Sequence, residues 1–381
     1  MTDIDKVLSC VEKKEKDIKA MYHFLHQNAE ISWEEYQTTD FISNELEKLA
    51  IPYKRFEDQT GVVGLWGKGK GGPVIGIRSD MDALWQNVGG EWKANHSCGH
   101  DAHMTILLYT LICLKELGVE PEGMIKCIFQ PAEETGDGAL SFIQKGIIDD
   151  IDYLLGMHVR PIQEMPFGKA SPAIYHGAAT ILKGKIHGVQ AHAARHHLGV
   201  NVLDSLTSIN LAIRSIPLNP VLPSSIKMTY AQAGGKNFNI IPDYAEFAID
   251  IRAQTNEEME QLLKKVNKSI QEAGEANGAK VELEILSEMV AAEPNRFMEE
   301  VVGDSIKEAL GSENIVLPPV TPGGEDFHFY PRKNNRTQAT MIGLGTDLQP
   351  GLHHPEMNFQ LDSLLNGVKI MVMATLKLLK K

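Results

Sequence analysis

Three short stretches contain residue types that bind metal ions, and each follows an apolar run typical of a buried strand. Their chemically active side chains are Cys98 and His100, then Glu133 and Glu134, then His158. In open α/β sheets such groups gather at the carboxyl ends of strands, so we expect these side chains to meet at one edge. Thiolate and imidazole donors favour transition metals over magnesium or calcium. The pattern therefore predicts a transition-metal site, and metal-assisted hydrolysis as its chemistry.

The Glu133-Glu134 pair offers a second carboxylate beside the metal. A bound divalent cation lowers the pKa of water from roughly 15.7 to roughly 7, and a neighbouring carboxylate can move the released proton to the leaving nitrogen. Adjacent side chains on extended backbone point in opposite directions, so one Glu can bind metal while the other faces the water. We assign the base to Glu133 and the ligand to Glu134, although the residues alone leave the reverse assignment open.

The elements that must position these groups alternate between helix and strand patterns. The predicted helices of the first part are residues 3–28, a helix ending near Leu49, 102–117 and 139–147, and the predicted strands are 61–67, 74–78, 124–129 and 153–159. Ser32 and Glu35 have the spacing of a capping box that opens the second helix. This alternation is typical of an α/β fold with a mostly parallel sheet.

The order of elements changes in the middle of the chain. There we predict a strand from Ala179, a helix at 201–216, strands at 226–233 and 245–252, a helix at 257–274 and a strand at 280–286. This βαββαβ order is ferredoxin-like. After Pro294 the α/β pattern returns. We therefore predict an α/β catalytic domain of residues 1–170 and 289–381, with a mixed, mostly parallel sheet flanked by helices, interrupted by an inserted ferredoxin-like α+β domain at 171–288.

Composition limits the partners and the compartment. The net charge of −13 argues against nucleic acid and anionic membranes as partners. We see no signal-peptide pattern at the N-terminus and no apolar run of about 18 residues. The four cysteines are few and irregularly spaced, which favours a reducing cytoplasm, and only Cys98 lies among ligand types.

Eight blocks resemble, in order, the M20 metallopeptidase family, in its branch of N-acyl-amino-acid, hippurate and auxin-conjugate hydrolases. They are RSDMDAL at 78–84, HSCGHD at 96–101, QPAEE at 130–134, GMH at 156–158, QAHAA at 190–194, NIIP at 239–242, GEDF at 324–327 and LHHP at 352–355. One such block is weak, whereas eight in sequence are specific. Trp85 replaces the usual proline of its block and residues 86–94 form a short segment, so the acyl preference does not transfer.

The resemblance implies a set of metal ligands and two divalent transition-metal ions per subunit, with zinc, manganese, cobalt or nickel as candidates. The implied ligands are Cys98, His100, Glu134, His158 and His353. His354 follows His353 directly, so His354 is an alternative candidate for the last ligand. Asp80 and Asp82 are expected to orient the ligands rather than to bind metal.

The resemblance also implies roles for residues of the inserted domain and of the segment that follows it. His192 would stabilise the oxyanion of the tetrahedral intermediate from the partner subunit, and Asn239 and Arg252 would hold the substrate carboxylate. The lead into the GEDF block, TPGG at 321–324, departs from the family pattern, and we expect its two glycines, Gly323 and Gly324, to let the backbone approach the substrate closely. The plainer interpretations are an exposed histidine in a His-rich loop and a surface ion pair of Arg252. The inserted domain would be a lid through which subunits pair, giving a homodimer or higher homo-oligomer.

The predicted function is a metal-dependent amidohydrolase that cleaves a small N-acyl amino acid. The alternative is a dipeptidase or carboxypeptidase that uses the same dinuclear site. A third hypothesis, a binding protein on an inactive hydrolase fold, requires a missing ligand or base, and none of these residue types is missing from the blocks.

Overall fold

The computed structural model describes residues 3–381. Met1 and Thr2, where the predicted catalytic domain begins, lie outside the described residues. The chain forms two compact units. Unit 1 contains the described residues as far as Tyr175, with Glu293–Pro319 and Asp326–Lys381, and unit 2 contains His176–Ala292 with Val320–Glu325.

Unit 1 is built around a seven-stranded sheet. Across the sheet the strands are Tyr53–Arg55, Val62–Gly67, Met124–Gln130, Val74–Asp80, Tyr153–Pro161, Gln338–Leu348 and Ala170–Ser171. The four strands from Met124–Gln130 to Gln338–Leu348 are parallel, and the flanking strands pair antiparallel. The parallel strands are buried almost throughout, which explains why they appear in the sequence as continuous apolar runs. The predicted mostly parallel α/β sheet is confirmed.

Helices cover this sheet. The helices of unit 1 are Asp3–Glu12, Glu15–Gln27, Tyr36–Lys48, His100–Glu116, Gly138–Gln144, Arg296–Leu310, Phe329–Lys333 and Ser363–Leu378. His100–Glu116 is buried on nearly every side because it packs on the strand Val74–Asp80 and on the helices Glu15–Gln27 and Ser363–Leu378. None of the described helices is both apolar enough and long enough to cross a bilayer.

The start of the helix Tyr36–Lys48 differs from the prediction. The N-cap residue of this helix is Glu35, and its side chain forms no capping hydrogen bond. The predicted capping box is therefore wrong. The carboxylate of Glu30 instead accepts the N–H groups of Gln37 at 3.1 Å and Thr38 at 2.8 Å. Ser32 and Glu35 are thereby free for partners elsewhere in unit 1. The predicted helix at 3–28 also forms two helices, Asp3–Glu12 and Glu15–Gln27.

A β-hairpin that the sequence pattern did not predict joins the block at 78–84 to Cys98. Its strands are Leu84–Val88 and Glu91–Asn95. Gly89 and Gly90 both have positive φ, as a tight two-residue turn between antiparallel strands requires. The short segment noted at 86–94 is this hairpin.

Unit 2 contains a four-stranded antiparallel sheet. Its strands in spatial order are Ser224–Ala233, Tyr244–Ala253, Ala178–His187 and Lys280–Met289, and its helices are Val202–Arg214 and Asn256–Ala276. Burial alternates along the two central strands, so one face of the sheet is buried. The long helix buries Met259, Leu262, Val266 and Ile270, a spacing that presents one apolar stripe. Along the chain the order is strand, helix, two strands, helix, strand.

Candidate metal centre

A tight approach between two segments of unit 1 places Cys98 beside His158. Gly99 precedes the helix His100–Glu116 with a left-handed φ of 85°. A Cβ built on Gly99 would lie 2.5 Å from Cγ2 of Val159, the residue after His158. Only glycine fits there without a shift. The loop with Cys98 therefore lies directly against the strand Tyr153–Pro161.

Four potential ligands, three histidines and one glutamate, converge around the sulfur of Cys98. Its Sγ lies 3.6 Å from Nε2 of His158 and 3.3 Å from Nε2 of His353. His353 Nε2 is also 3.4 Å from Oε2 of Glu134. Among the groups of three candidate ligands whose ligand atoms all lie within 4.8 Å of one another, two contain Cys98: Cys98 with His100 and His158, and Cys98 with Glu134 and His353. The sulfur of Cys98 is thus shared by two groups of candidate ligands.

Backbone carbonyls orient two of the imidazoles. The Nδ1 of His100 lies 2.8 Å from the carbonyl oxygen of Asp82, and the Nδ1 of His158 lies 2.7 Å from the carbonyl oxygen of Val159. In a neutral ring, a proton on Nδ1 would leave Nε2 with a lone pair, the form that binds metal. Nε2 of His100 and Oε1 of Glu134 are buried without a hydrogen-bond partner. Buried polar atoms left unpaired are costly, so a cation fits this site.

The ionisation of the site also fits a cation. Burial, followed by the charge of Glu134, raises the pKa of the Cys98 thiol well above its usual range. Burial also raises the pKa of Glu134 to about 7. Burial lowers the pKa of His158 and of His353, which keeps both rings neutral. Neutral imidazoles are ready to bind, whereas the thiol and the carboxyl need a positive charge nearby to become the thiolate and carboxylate that ligate metal.

The Glu133-Glu134 pair does not lie on extended backbone. After the strand Met124–Gln130 the chain turns, and Ala132 has a left-handed φ of 54°. Glu133 Oε2 and Glu134 Oε1 each lie 3.9 Å from Nε2 of His100. The predicted divergence of the two side chains is therefore wrong, because the turn directs both carboxylates towards the same imidazole. Oε2 of Glu134 also lies 3.4 Å from Nε2 of His353.

The two candidate histidines of the LHHP block lie in different surroundings. His353 has a left-handed φ of 63°, and its N–H donates to the carbonyl of Ser97 at 2.8 Å. That bond fixes the loop next to Cys98. The Nδ1 of His354 accepts the N–H of Glu356 at 3.1 Å, within its own loop. The structure thus brings His353, rather than His354, to the cluster.

The unpredicted hairpin is attached to this loop. Gln86 donates to the carbonyl of His353 at 2.8 Å, and Asn95 donates to the carbonyl of Pro355 at 3.1 Å. Trp85 and Trp92 lie on the opposite face of the hairpin and are 57% and 62% exposed. Trp85, which replaces the proline usual in the family pattern, therefore belongs to the hairpin that supports the loop of His353.

Asp80 supports the strand that carries His158 through a second histidine, His103. Asp80 Oδ1 lies 2.7 Å from Nδ1 of His103, whose Nε2 accepts the N–H of Val159 at 3.1 Å. Both nitrogens of His103 are engaged, so it supports the strand of His158. Sequence reasoning missed His103, although its place three residues after His100 puts it on the same helix face. Buried Arg78 pairs with Asp80 and with Asp326, each at 2.7 Å.

The remaining predicted residues lie in unit 2. His192 and Asn239 are exposed and close together, because His192 pairs with Ile240 in a short two-stranded sheet and the backbone carbonyl of Asn239 accepts the N–H of Ala193 at 2.9 Å. Nη2 of Arg252 forms an ion pair with Asp250 at 2.9 Å, which is the plainer of the two roles considered for it. Gly324 is exposed, and a Cβ on it would meet Cγ of Met289 at 2.9 Å.

Comparison with known proteins identifies the family. The sequence profile described as peptidase family M20/M25/M40 matches residues 76–377. The chain belongs to this family. The family member described here is 31% identical to IAA-amino acid hydrolase ILR1-like 4 of Arabidopsis thaliana over 80% of its own length and 72% of the relative's. It is 29% identical to N-acetyl-L-cysteine deacetylase of Bacillus subtilis (strain 168), over 90% and 83% of the two chains.

A solved structure shares the fold of this M20 family member. The crystal structure of the Bacillus subtilis YXEP protein, described as a dinuclear metal binding peptidase from the M20 family, matches with a TM-score of 0.82 over 97% of this chain and 99% of the other. At 23% identity the likeness concerns the fold alone. The resemblance inferred from the eight blocks is confirmed, and the protein is a hydrolase that acts on amide bonds.

Proposed function

We propose that this enzyme is a metal-dependent amidohydrolase that cleaves the amide bond of N-acyl amino acids. The observation that carries the proposal is the pair of ligand groups that share Cys98. Four more observations support it: the Nδ1 bonds of His100 and His158, and the unpaired buried atoms of His100 and Glu134. Few other functions require a thiol, imidazoles and a carboxylate to converge in this way.

Two divalent transition-metal ions would be held by these residues, one by Cys98, His100 and His158 and the other by Cys98, Glu134 and His353. Such ions supply a water of lowered pKa and polarise the carbonyl of the scissile bond. Thiolate and imidazole donors accept zinc, manganese, cobalt or nickel, and the donor set favours each of these over magnesium or calcium.

Glu133 is the proposed base and acid. Its carboxylate is buried and lies next to His100, on the same turn as the ligand Glu134. From that position Glu133 takes a proton from the attacking water and delivers it to the leaving nitrogen. Glu134 reaches both His100 and His353, and this double contact supports its assignment as the ligand.

The substrate class follows from the relatives. One is named a hydrolase of IAA-amino acids and another a deacetylase of N-acetyl-L-cysteine, and both names describe the release of an amino acid from an acyl group. We assign the substrate carboxylate to Asn239 and Arg252, close backbone approach to Gly324, and oxyanion stabilisation to His192 from a partner subunit. In this proposal unit 2 is the lid through which subunits form a homodimer or higher oligomer. The free, buried thiols agree with a cytoplasmic location.

A substrate panel tests the proposal. N-acetyl, N-benzoyl and indole-acetyl amino acids and dipeptides are incubated with the enzyme and added Mn²⁺, Zn²⁺ or Co²⁺. We expect acyl amino acids to be hydrolysed fastest; preference for a free α-amino group would indicate the peptidase alternative instead. Glu133→Gln should retain bound metal and lose about 100-fold or more in kcat, whereas Glu134→Gln should also bind less metal. Fully active Glu133→Gln would refute the assignment of the base, and wild-type protein without metal or hydrolysis would favour the binding protein.

A further inference from the structure

A buried carboxylate outside the ligand set binds the backbone of the turn that carries Glu133 and Glu134. Glu35 has an exposed fraction of 0%. One of its oxygens accepts the N–H of Ala132 at 2.9 Å, and the other accepts the hydroxyl of Thr60 at 2.5 Å. Glu35 does not cap the helix that follows it. Its side chain is therefore committed to the turn rather than to its own helix.

Three successive N–H groups of this turn donate to buried carboxylates. The N–H of Ala132 donates to Glu35, and those of Glu133 and Glu134 donate to Asp82 at 3.1 Å and 3.0 Å. Ala132 has a left-handed φ of 54°, a conformation that L residues seldom adopt without support. The direction of the following two side chains depends on that conformation, because rotation at Ala132 would turn the whole segment.

We propose that Glu35 is a positioning residue: by holding the N–H of Ala132 it fixes the conformation from which Glu133 and Glu134 reach the metal centre. The inference rests on the proposed function in one respect, that Glu133 is the base and Glu134 a ligand. Burial raises the pKa of Glu35 to about 7. Its neutral form still offers a carbonyl oxygen to Ala132, so an amide at this position should serve as well.

The test compares Glu35→Ala with Glu35→Gln and with a matched control. Glutamine keeps an oxygen for the N–H of Ala132, and its NH₂ group can donate to the hydroxyl oxygen of Thr60. The control is Glu30→Ala. The carboxylate of Glu30 lies in the same loop and accepts three hydrogen bonds, but from Gln37 and Thr38 at the start of the helix Tyr36–Lys48. Glu30→Ala should lower thermal stability without affecting the turn.

Three readouts are measured on the full-length protein: hydrogen exchange of the peptide covering residues 130–136, Mn²⁺ binding by calorimetry, and kcat with KM. For Glu35→Ala we expect the Ala132 amide to exchange about tenfold faster and Mn²⁺ to bind about tenfold more weakly. We expect kcat to fall about 10- to 100-fold, as for other residues that orient metal ligands, with KM nearly unchanged. Glu35→Gln should stay within about threefold of wild type in each, the rescue that a positioning role predicts.

Wild-type exchange and Mn²⁺ affinity in a folded Glu35→Ala protein would overturn the inference, as would equal losses in Glu30→Ala. If Glu35→Ala does not fold, Thr60→Val replaces it, with Thr60→Ser as its control. Loss of the Thr60 hydroxyl should produce the same changes in smaller measure, and unchanged exchange there would also overturn the inference. Exchange and Mn²⁺ binding need no substrate, so they report on Glu35 even if no acyl amino acid is hydrolysed.

Discussion

Asp82→Asn tests how strongly the site depends on backbone bonds to a single carboxylate. Asp82 is 1% exposed. Its Oδ1 accepts the N–H of Glu133, and its Oδ2 accepts the N–H of Glu134 and the hydroxyl of Ser32 at 2.6 Å. Burial acts to raise its pKa, but bonds from His100, Ser32 and the Glu134 N–H outweigh it, so the pKa is lowered and the group is charged.

The amide cannot replace this carboxylate in either orientation. Asparagine has one acceptor oxygen, so its NH₂ group must face the N–H of either Glu133 or Glu134. The hydroxyl of Ser32 can turn and accept, but a backbone N–H cannot. One buried donor is left unpaired at a cost of ~1–3 kcal/mol, unless the turn shifts to avoid the clash. That cost falls on stability, whereas a shift of the turn moves Glu133 and Glu134, and we therefore expect kcat to fall by about 10- to 100-fold, as when other groups that orient metal ligands are replaced.

The assay is kcat and KM on the best acyl amino acid of the panel, together with metal content and thermal unfolding. Ser32→Ala is the matched control, since it removes a donor to Asp82 and leaves both backbone bonds intact. Its kcat should change less than about threefold. Asp82→Asn with the kcat of wild type, or with a loss no larger than that of Ser32→Ala, would refute the reasoning.

Two further predictions concern the thiol of Cys98, which the two proposed ligand groups share, and the buried carboxyl of Glu35. Cys98→Ser should weaken binding of Zn²⁺ about 100-fold or more, because both ligand groups lose their shared thiolate; metal analysis after dialysis checks this, with His354→Ala as a control that should keep its metal. Between about pH 5 and 7 folded Glu35 keeps a proton that the unfolded chain has released, since burial raises its pKa from 4.5 to about 7. The difference in protonation therefore lowers the free energy of unfolding as pH rises, by up to ~3 kcal/mol. Glutamine does not titrate, so Glu35→Gln lacks this pH-dependent loss of stability. Thermal melts should show Glu35→Gln gaining stability relative to wild type from pH 5 to pH 8, and a constant difference would contradict the prediction.

The mostly parallel sheet and the convergence of Cys98, His100, Glu134, His158 and His353 were largely predictable because their signals are local. The strands Met124–Gln130 and Tyr153–Pro161 are buried along almost their whole length, so they appear as apolar runs with ligands at or near their carboxyl ends. The capping box failed for a reason that local patterns cannot show. Glu35 has the spacing of a helix cap, but its carboxylate binds Ala132, 97 positions later in the chain. A tertiary partner displaced the local one.

The same limit explains why the residues alone left the roles of Glu133 and Glu134 open. The only rule available for the directions of the two side chains was their alternation along a strand. It fails at Ala132, which has a left-handed φ although the residue is not a glycine, so the sequence gives no sign of the turn. The turn at Ala132 is held by hydrogen bonds from backbone N–H groups to carboxylates that are remote in the sequence. Because almost every residue carries a backbone N–H, the sequence does not show which of these groups will bind a remote carboxylate. Ligand motifs can thus be recognised from short matches. The positions of the two carboxylates depend instead on how remote segments of the chain meet, and here the turn after Met124–Gln130 and the loop of His353 meet so that Oε2 of Glu134 lies 3.4 Å from Nε2 of His353, the contact on which the proposed ligand role of Glu134 rests.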